Sequence, residues 1–197
     1  MTTDYRVTVI NTPLRMFDSC IYKTQAEIFG TNSDTYCFRV LIPKTATDLI
    51  NQIKLAEKDA CEMARKNKGY KGAPITSIMR DAVDSDGVPY EDERKDHLTL
   101  KVLDPANRSH LHRVVNGVHP HVMGADGKPM LSLDGIYDGC YVKFAIQIVA
   151  VKASEWRLCG YLRAVMFSKA GERIEHGSYD STNYFSGSTD GSQDMVI

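Results

Sequence analysis

One segment of this chain reads as a long helix, and nearly everything else that is regular reads as strand. In "TATDLINQIKLAEKDACEMARKNKG", Leu49, Ile53, Ala56, Ala60 and Met63 recur at three- and four-residue steps, the spacing of one helical face. Thr45 with Asp48 resembles a capping box with the shorter acid, and Gly69 is a C-terminal stop. The pattern predicts a helix over about residues 45–68. A single helix cannot supply the repeated crossovers of a doubly wound parallel sheet. The chain must close its strands some other way.

Five segments carry strand patterns. Arg6–Met16 begins with alternation and reads as ending near Pro13; Thr35–Lys44 sets Tyr36, Phe38, Val40 and Ile42 on one face and stops at Pro43. His97–Leu103 places Leu98, Leu100 and Val102 together. Tyr141–Val151 and Arg157–Ser168 follow, joined by the short "KASEW" loop. Residues 70–95 read as a long charged loop with one helical turn near Ile75–Met79. The stretch from Asp104 to Met130 reads as mostly connection, with "HRVVNG" pairing briefly. Five strands and one helix between them predict a mainly β fold, a small twisted five-stranded barrel with the helix inserted.

A length of 197 residues, 43% hydrophobic and 25% charged, fits one globular domain. The longest apolar run, "FAIQIVAV", is broken by glutamine and too short to span a membrane. "MTTDYRVTV" lacks the basic and apolar regions of a signal peptide, so the expected compartment is intracellular. The five cysteines (Cys20, Cys37, Cys61, Cys140, Cys159) form no CxxC pair and read as reduced, mostly buried thiols. The net charge of −1 hides an asymmetry: no Lys or Arg follows Arg173, while Glu175, Asp180, Asp190 and Asp194 do. Setting those four aside from the 25 acids leaves 21 against 24 basic residues, so residues 1–173 carry +3.

The strand at Tyr141 poses the functional question. Val142, Phe144, Ile146 and Ile148 share one face; Tyr141, Lys143, Ala145 and Gln147 share the other. Alternate residues lie about 6.6 Å apart, a spacing close to that of splayed bases on an extended single strand. Aromatic rings stack on any base while Lys and Arg track phosphates. The next strand repeats the theme, with Tyr161, Arg163 and Phe167 opposite Leu162, Ala164 and Met166, and between the strands lie Lys152, Trp156 and Arg157. The plainer alternative is a solvated face with snorkelling cations. His110, His112, His119 and His121 form two HxH pairs that would bind zinc or nickel if they met across a hairpin. No acid or thiol lies close by, and solvated loop histidines are the plainer reading. Asp81, Asp84, Asp86 and the run Glu91–Glu93 raise a divalent-metal nuclease, yet no nucleotide-binding, hydrolase or metalloprotease motif is present. No catalytic residue and no cofactor is expected.

Three segments in order resemble the bacteriophage single-stranded DNA-binding protein family. "CFRVLIPKTATDL" before the helix is similar to its strand–IPK–helix opening; "MRDAVD" resembles its Arg-Asp-Gly motif with Ala82 in place of glycine; "IYDGCYVKFAIQIVAV" with "GYLRAVMFSKAGERI" resembles its last strand pair. The resemblance implies an OB-fold over residues 1–176 that coats single-stranded DNA in phage replication, recombination and repair, in the cytoplasm of the infected bacterium. With it, Tyr141 and Lys143 are spared for the DNA, and Lys152, Trp156, Arg157 and Arg163, picked out above from their own pattern, are the further DNA-facing candidates. Tyr70, Lys71 and Arg80, in the loop after the helix, would flank the groove. Gly139 would permit a tight bend, with Cys140 packing inward. A protein-interaction or virion structural domain on the same barrel is the competing reading. No membrane partner is implied, and the oligomeric state is left open.

Residues 177–197 hold mostly Ser, Gly, Thr and Asp, and end with Asp194 before Met195, Val196 and Ile197. Such a composition buries too little apolar surface to offset ordering. An acidic residue beside an apolar tip can dock on a basic groove of this protein or on a phage or host replication protein. Deleting Ser178–Ile197 is therefore expected to leave thermal unfolding unchanged and to tighten single-strand binding modestly at low salt, where screening is least. Equal affinities of the truncated and full-length chains at low salt would remove the self-inhibition idea.

Overall fold

The computed structural model describes residues 6–30, 32–72, 75–83 and 87–174. Eight strands and two α-helices run in the order β1 (Val7–Met16), α1 (Gln25–Phe29), β2 (Thr35–Pro43), α2 (Thr47–Lys68), β3 (Met79–Asp81), β4 (His97–Pro105), β5 (His119–Met123), β6 (Pro129–Met130), β7 (Tyr141–Lys152) and β8 (Trp156–Lys169). The neighbours are β3-β4-β2-β1-β7-β8-β5-β6, and β4 also pairs with β8. That extra pairing is parallel, Val102 opposite Gly160 and Leu103 opposite Tyr161. The hydrogen bonds therefore run β4–β2–β1–β7–β8 and return to β4, a closed circuit of five strands. Among the described residues no helix is long and apolar enough to cross a membrane.

The inside of the circuit is the core. Phe38, Val40 and Ile42 from β2, Leu100 and Val102 from β4, and Val142, Phe144, Ile146 and Ile148 from β7 are all buried there. The rings of Phe38 and Phe144 meet edge to face at 5.4 Å. Leu49, Ile53 and Ala60 bring α2 onto the same core, so the amphipathic face read from the sequence is the packed one. Buried Glu57 on α2 accepts hydrogen bonds from Ser77 Oγ and the Ile78 N–H, both at 2.7 Å. This holds the chain after the helix on course for β3.

Several sequence expectations are corrected by the structure. There are eight strands rather than five in the described residues; the added β3, β5 and β6 are short, and their polar, proline-containing sequences carry little alternation. The supposed loop of residues 70–95 contains β3 instead of a helical turn, plus a 3₁₀ turn at Glu93–Asp96. β1 runs through Pro13, because four steps from Ile10 to Leu14 face only two from Phe144 to Val142. The bulge leaves the proline outside the ladder. Thr45 does not cap α2; the helix starts after Ala46, whose N–H bonds the Pro43 carbonyl at 2.8 Å in a tight turn. The true capping box is Thr24 with Glu27 on α1, a helix the sequence reading missed. Gly69 does end α2, at φ +69°.

The largest correction is one of phase. Ala145 pairs with Ala164 but Ile146 with Leu162, leaving Arg163 as an extra residue on β8. A bulge of one residue reverses which side chains face inward beyond it. Leu162 is buried as read, but past the bulge Val165 is the buried residue and Phe167 packs on the core, in place of Ala164 and Met166. Gln147, read as outward-facing polar surface, is buried at 9% exposure and takes a hydrogen bond from Arg163. Gly139 has φ +103°, and a Cβ there would sit 1.9 Å from the Glu172 carbonyl oxygen. Its role is thus close backbone approach as well as a bend. Cys140 is buried against Met16, Sγ to Sδ 3.7 Å.

Phe144→Ala is expected to cost about 3–5 kcal/mol, as core aromatic truncations do, measured by urea unfolding. Lys143→Ala, on the half-buried opposite face, should change stability by less than about 0.5 kcal/mol.

Candidate nucleic-acid interface

Outside the circuit, β4 presents Thr99, Lys101 and Leu103, and β8 presents Arg157 and Tyr161. Because Leu103 lies directly opposite Tyr161, the two rows form one continuous face. Lys101 pairs across the ladder with Arg39 of β2, and Arg80 on the flanking β3 pairs with Thr99. From the 3₁₀ turn after β4, Arg108 sets its guanidinium 5.7 Å from the Tyr161 ring centroid. Burial pushes the Tyr161 hydroxyl above its usual range, so the ring stays neutral at physiological pH. Arg80, Arg108 and Arg157 are exposed; Arg39, Lys101, Tyr161 and Arg163 are half-buried. A half-buried aromatic with Arg108 and Arg157 beside it offers a stacking surface with positive charge for phosphates next to it.

The edge of this face is built by the connection between β1 and β2, residues 17–34. Gln25 Oε1 accepts from Lys101 Nζ at 2.6 Å, and Asp18 pairs with Arg39. The far end is closed by the tight turn 153–155 between β7 and β8, with exposed Lys152 before it. Above Tyr161, Asp104 is fully buried and gathers Ser109 Oγ, the His110 N–H at 2.9 Å and the Leu111 N–H at 3.0 Å. This carboxylate shapes the turn that carries Arg108. His110 stands beside Arg163, 3.4 Å from its guanidinium, and its ring is 4.7 Å from that of His121. Burial first, then His121, lowers the His110 pKa below the usual imidazole value.

The residues picked from sequence separate into groups. Arg80, Arg157 and Arg163 join the face just described, although Arg80 sits on a strand, not in a loop. Tyr141 and Lys143 lie on the other side of β8, with Lys169 Nζ 4.4 Å above the Tyr141 ring and Lys143 opposite Met166. Tyr70 is corrected from groove residue to packing residue. It is 4% exposed and lies with Ala64 and Ala150, its ring 5.1 Å from that of half-buried Trp156. Its neighbour Lys71 is exposed. The sequence reading missed Lys101, Arg39 and Arg108. The first two were legible as outward members of strands whose inner faces were assigned; Arg108 lay in an apparent connection. The two HxH pairs do meet at His110 and His121, but His112 is turned to the Ile21 carbonyl at 2.7 Å and His119 to the Leu111 carbonyl at 2.9 Å. Among the described residues, no three His, Cys, Asp or Glu side chains converge as metal ligands. The C-terminal tail lies outside the described residues.

Tyr70 also yields a stability test. Its buried hydroxyl has no hydrogen-bond partner among the described residues, so Tyr70→Phe should leave unfolding free energy unchanged or raise it by up to about 1 kcal/mol. Tyr70→Ala should cost about 3 kcal/mol or more. Equal losses for both variants would show that the hydroxyl, not the ring, is what matters.

Comparison with known proteins agrees with this architecture. The family model of the single-stranded DNA-binding protein of Enterobacter phage Enc34 matches residues 7–196. No curated protein sequence matches. The solved structure of the single-stranded DNA-binding protein from bacteriophage Enc34 superimposes with a TM-score of 0.58 at 17% identity, covering 88% of this chain and 87% of that one. The same protein in complex with single-stranded DNA gives 0.54 at 16% identity, over 83% and 87%. Gp2.5, a single-stranded DNA-binding protein encoded by bacteriophage T7, gives 0.50 at 15% identity, over 89% and 99%. At these identities the structural likeness speaks to the fold. The family match spans almost the whole sequence, and the chain belongs to the family of the phage Enc34 single-stranded DNA-binding protein.

Proposed function

We propose that this protein is a non-catalytic, sequence-tolerant single-stranded DNA-binding protein, coating exposed strands during phage DNA replication, recombination and repair in the infected cell's cytoplasm. The family match over residues 7–196 carries the reading, and a structure of similar fold is a complex with single-stranded DNA. The strand circuit supports an OB-type barrel. Its order β1-β2-β4-β8-β7-β1, with one parallel pair between β4 and β8, the third and fifth of these strands along the chain, follows the five-stranded Greek-key plan. The short β3, β5 and β6 are additions to it. In OB-folds, oligonucleotides lie on the face of the second and third strands, between the first-to-second and fourth-to-fifth connections. Those elements here are β2 and β4, the 17–34 connection and the 153–155 turn. The rule favours the face that holds Lys101 on β4; Tyr161 and Arg157 on the adjoining β8, with Arg80 and Arg108 at its flanks, extend it and make this face our candidate for the bound strand.

Each role follows from chemistry. Tyr161 stacks a base; Lys101, Arg80 and Arg157 neutralise phosphates; Arg108 does both, lying near the ring and carrying charge. Arg163, bonded to Gln147, positions the bulge more than it tracks phosphate. Nothing in this set reads base edges, which matches sequence tolerance.

Titration of oligothymidylate at two salt concentrations tests the reading. Wild-type affinity should fall steeply with salt, and Lys101→Ala and Arg80→Ala should each lower the salt slope by about 0.7. Tyr161→Ala should lose about 1–3 kcal/mol of binding with the slope retained. No measurable binding by the folded wild type, or slopes and affinities unmoved by all three substitutions, would refute it.

A further inference from the structure

Cys20 and Cys37 sit directly opposite each other where the 17–34 connection runs along β2. The Cys20 N–H bonds the Cys37 carbonyl at 2.9 Å and the Cys37 N–H bonds the Cys20 carbonyl at 3.0 Å. This is a hydrogen-bonded antiparallel pair, for which Cα atoms lie about 5.5 Å apart, inside the range a disulfide spans. Both side chains turn the same way, Sγ to Sγ 2.8 Å, and both are buried. We propose that these thiols form a reversible disulfide that clamps the 17–34 connection onto β2 and restrains the adjoining nucleic-acid face. The regulatory half of this inference rests on the function proposed above.

The chemistry is available at neutral pH. Cys37 is lowered to about 7, first by the hydrogen bond with Cys20, with Lys101 and Arg39 adding to it, while the Cys20 thiol is raised and keeps its proton. With a peroxide as oxidant, the Cys37 thiolate takes one peroxide oxygen, the O–O bond breaks, and hydroxide leaves. The Cys20 sulfur then attacks the resulting sulfenic acid. The S–S bond forms, and the sulfenic oxygen departs as water with the Cys20 proton. Two thiols lose two electrons and two protons, and hydrogen peroxide becomes two waters.

The same connection carries the partners of two face cations. Asp18 pairs with Arg39, Gln25 holds Lys101 at 2.6 Å, and Ser19 Oγ and the Arg39 N–H meet at 3.0 Å. A strand of phosphates must draw Lys101 and Arg39 away from Gln25 and Asp18. A connection fastened by a covalent bond yields less, so the oxidised protein should bind more weakly.

The test compares reduced protein with protein treated with hydrogen peroxide. Peptide mass spectrometry should find Cys20 linked to Cys37 with loss of two hydrogens, reversed by a dithiol reductant. Closing this short loop should raise Tm by roughly 5–10 °C. Oligothymidylate affinity should fall at least about fivefold, and Cys20→Ser should show none of these responses. Failure of the pair to link while other cysteines oxidise would overturn the proposal, as would linkage that leaves both Tm and affinity unmoved. If the reduced protein binds no oligothymidylate, the functional reading fails instead, and the linkage and melting results still decide the clamp.

Discussion

The outer face depends on a short parallel pairing, Val102 with Gly160 and Leu103 with Tyr161, which joins β4 to β8. Without it the sheet would be an open ribbon with two long unpaired edges, a hazard that closure removes. With it, five strands enclose Phe38, Phe144 and their neighbours, and Tyr161 is carried beside Lys101. A Cβ at Gly160 would make only ordinary contacts, 3.4 Å from Ile78 Cδ1 and 3.6 Å from the Lys101 carbonyl oxygen, so the junction has room for a methyl group but is closely lined on both sides.

A net charge of −1 is unhelpful as a guide to this protein, because charge is placed and not merely counted. Lys44 is paired with Asp81 and Arg94 with Asp92, so these cations are neutralised locally on exposed loops and strand ends. Arg108 and Arg157 stand next to Tyr161 on one sheet face. Lys101 and Arg39 are held by an amide and a carboxylate on the 17–34 connection. On the function proposed above, affinity and salt response turn on the balance between those internal partners and phosphate.

Legibility followed periodicity. The helix at Thr47–Lys68 and the inner faces of β2, β4 and the first half of β7 were readable because repeated apolar steps average over many residues. The bulge at Arg163 was not, since one unpaired residue leaves no mark in composition yet inverts every assignment after it. Gln147 and Tyr70 misled for a different reason: each is amphipathic, and tertiary partners, Arg163 for one and Trp156 for the other, decided burial. The make-up of the cationic face was partly legible. Arg80 and Arg157 stand among the candidates read from the sequence, while Lys101 and Arg39 were overlooked because they are the outward residues of strands read only for their cores. The parallel contact that brings β4 to β8 is long-range and has no local signature.

Ultraviolet cross-linking of the full-length protein to oligothymidylate, followed by peptide sequencing, tests the central claim most directly, since it reports which ring lies against the bases. The account predicts adducts on Tyr161 itself, retained at that position in Tyr161→Phe and absent from that position in Tyr161→Ala even at DNA concentrations that saturate the variant. Adducts confined to the segment holding Tyr141 and Lys143, with Tyr161 unmodified, would contradict it and move the strand to the opposite side of β8.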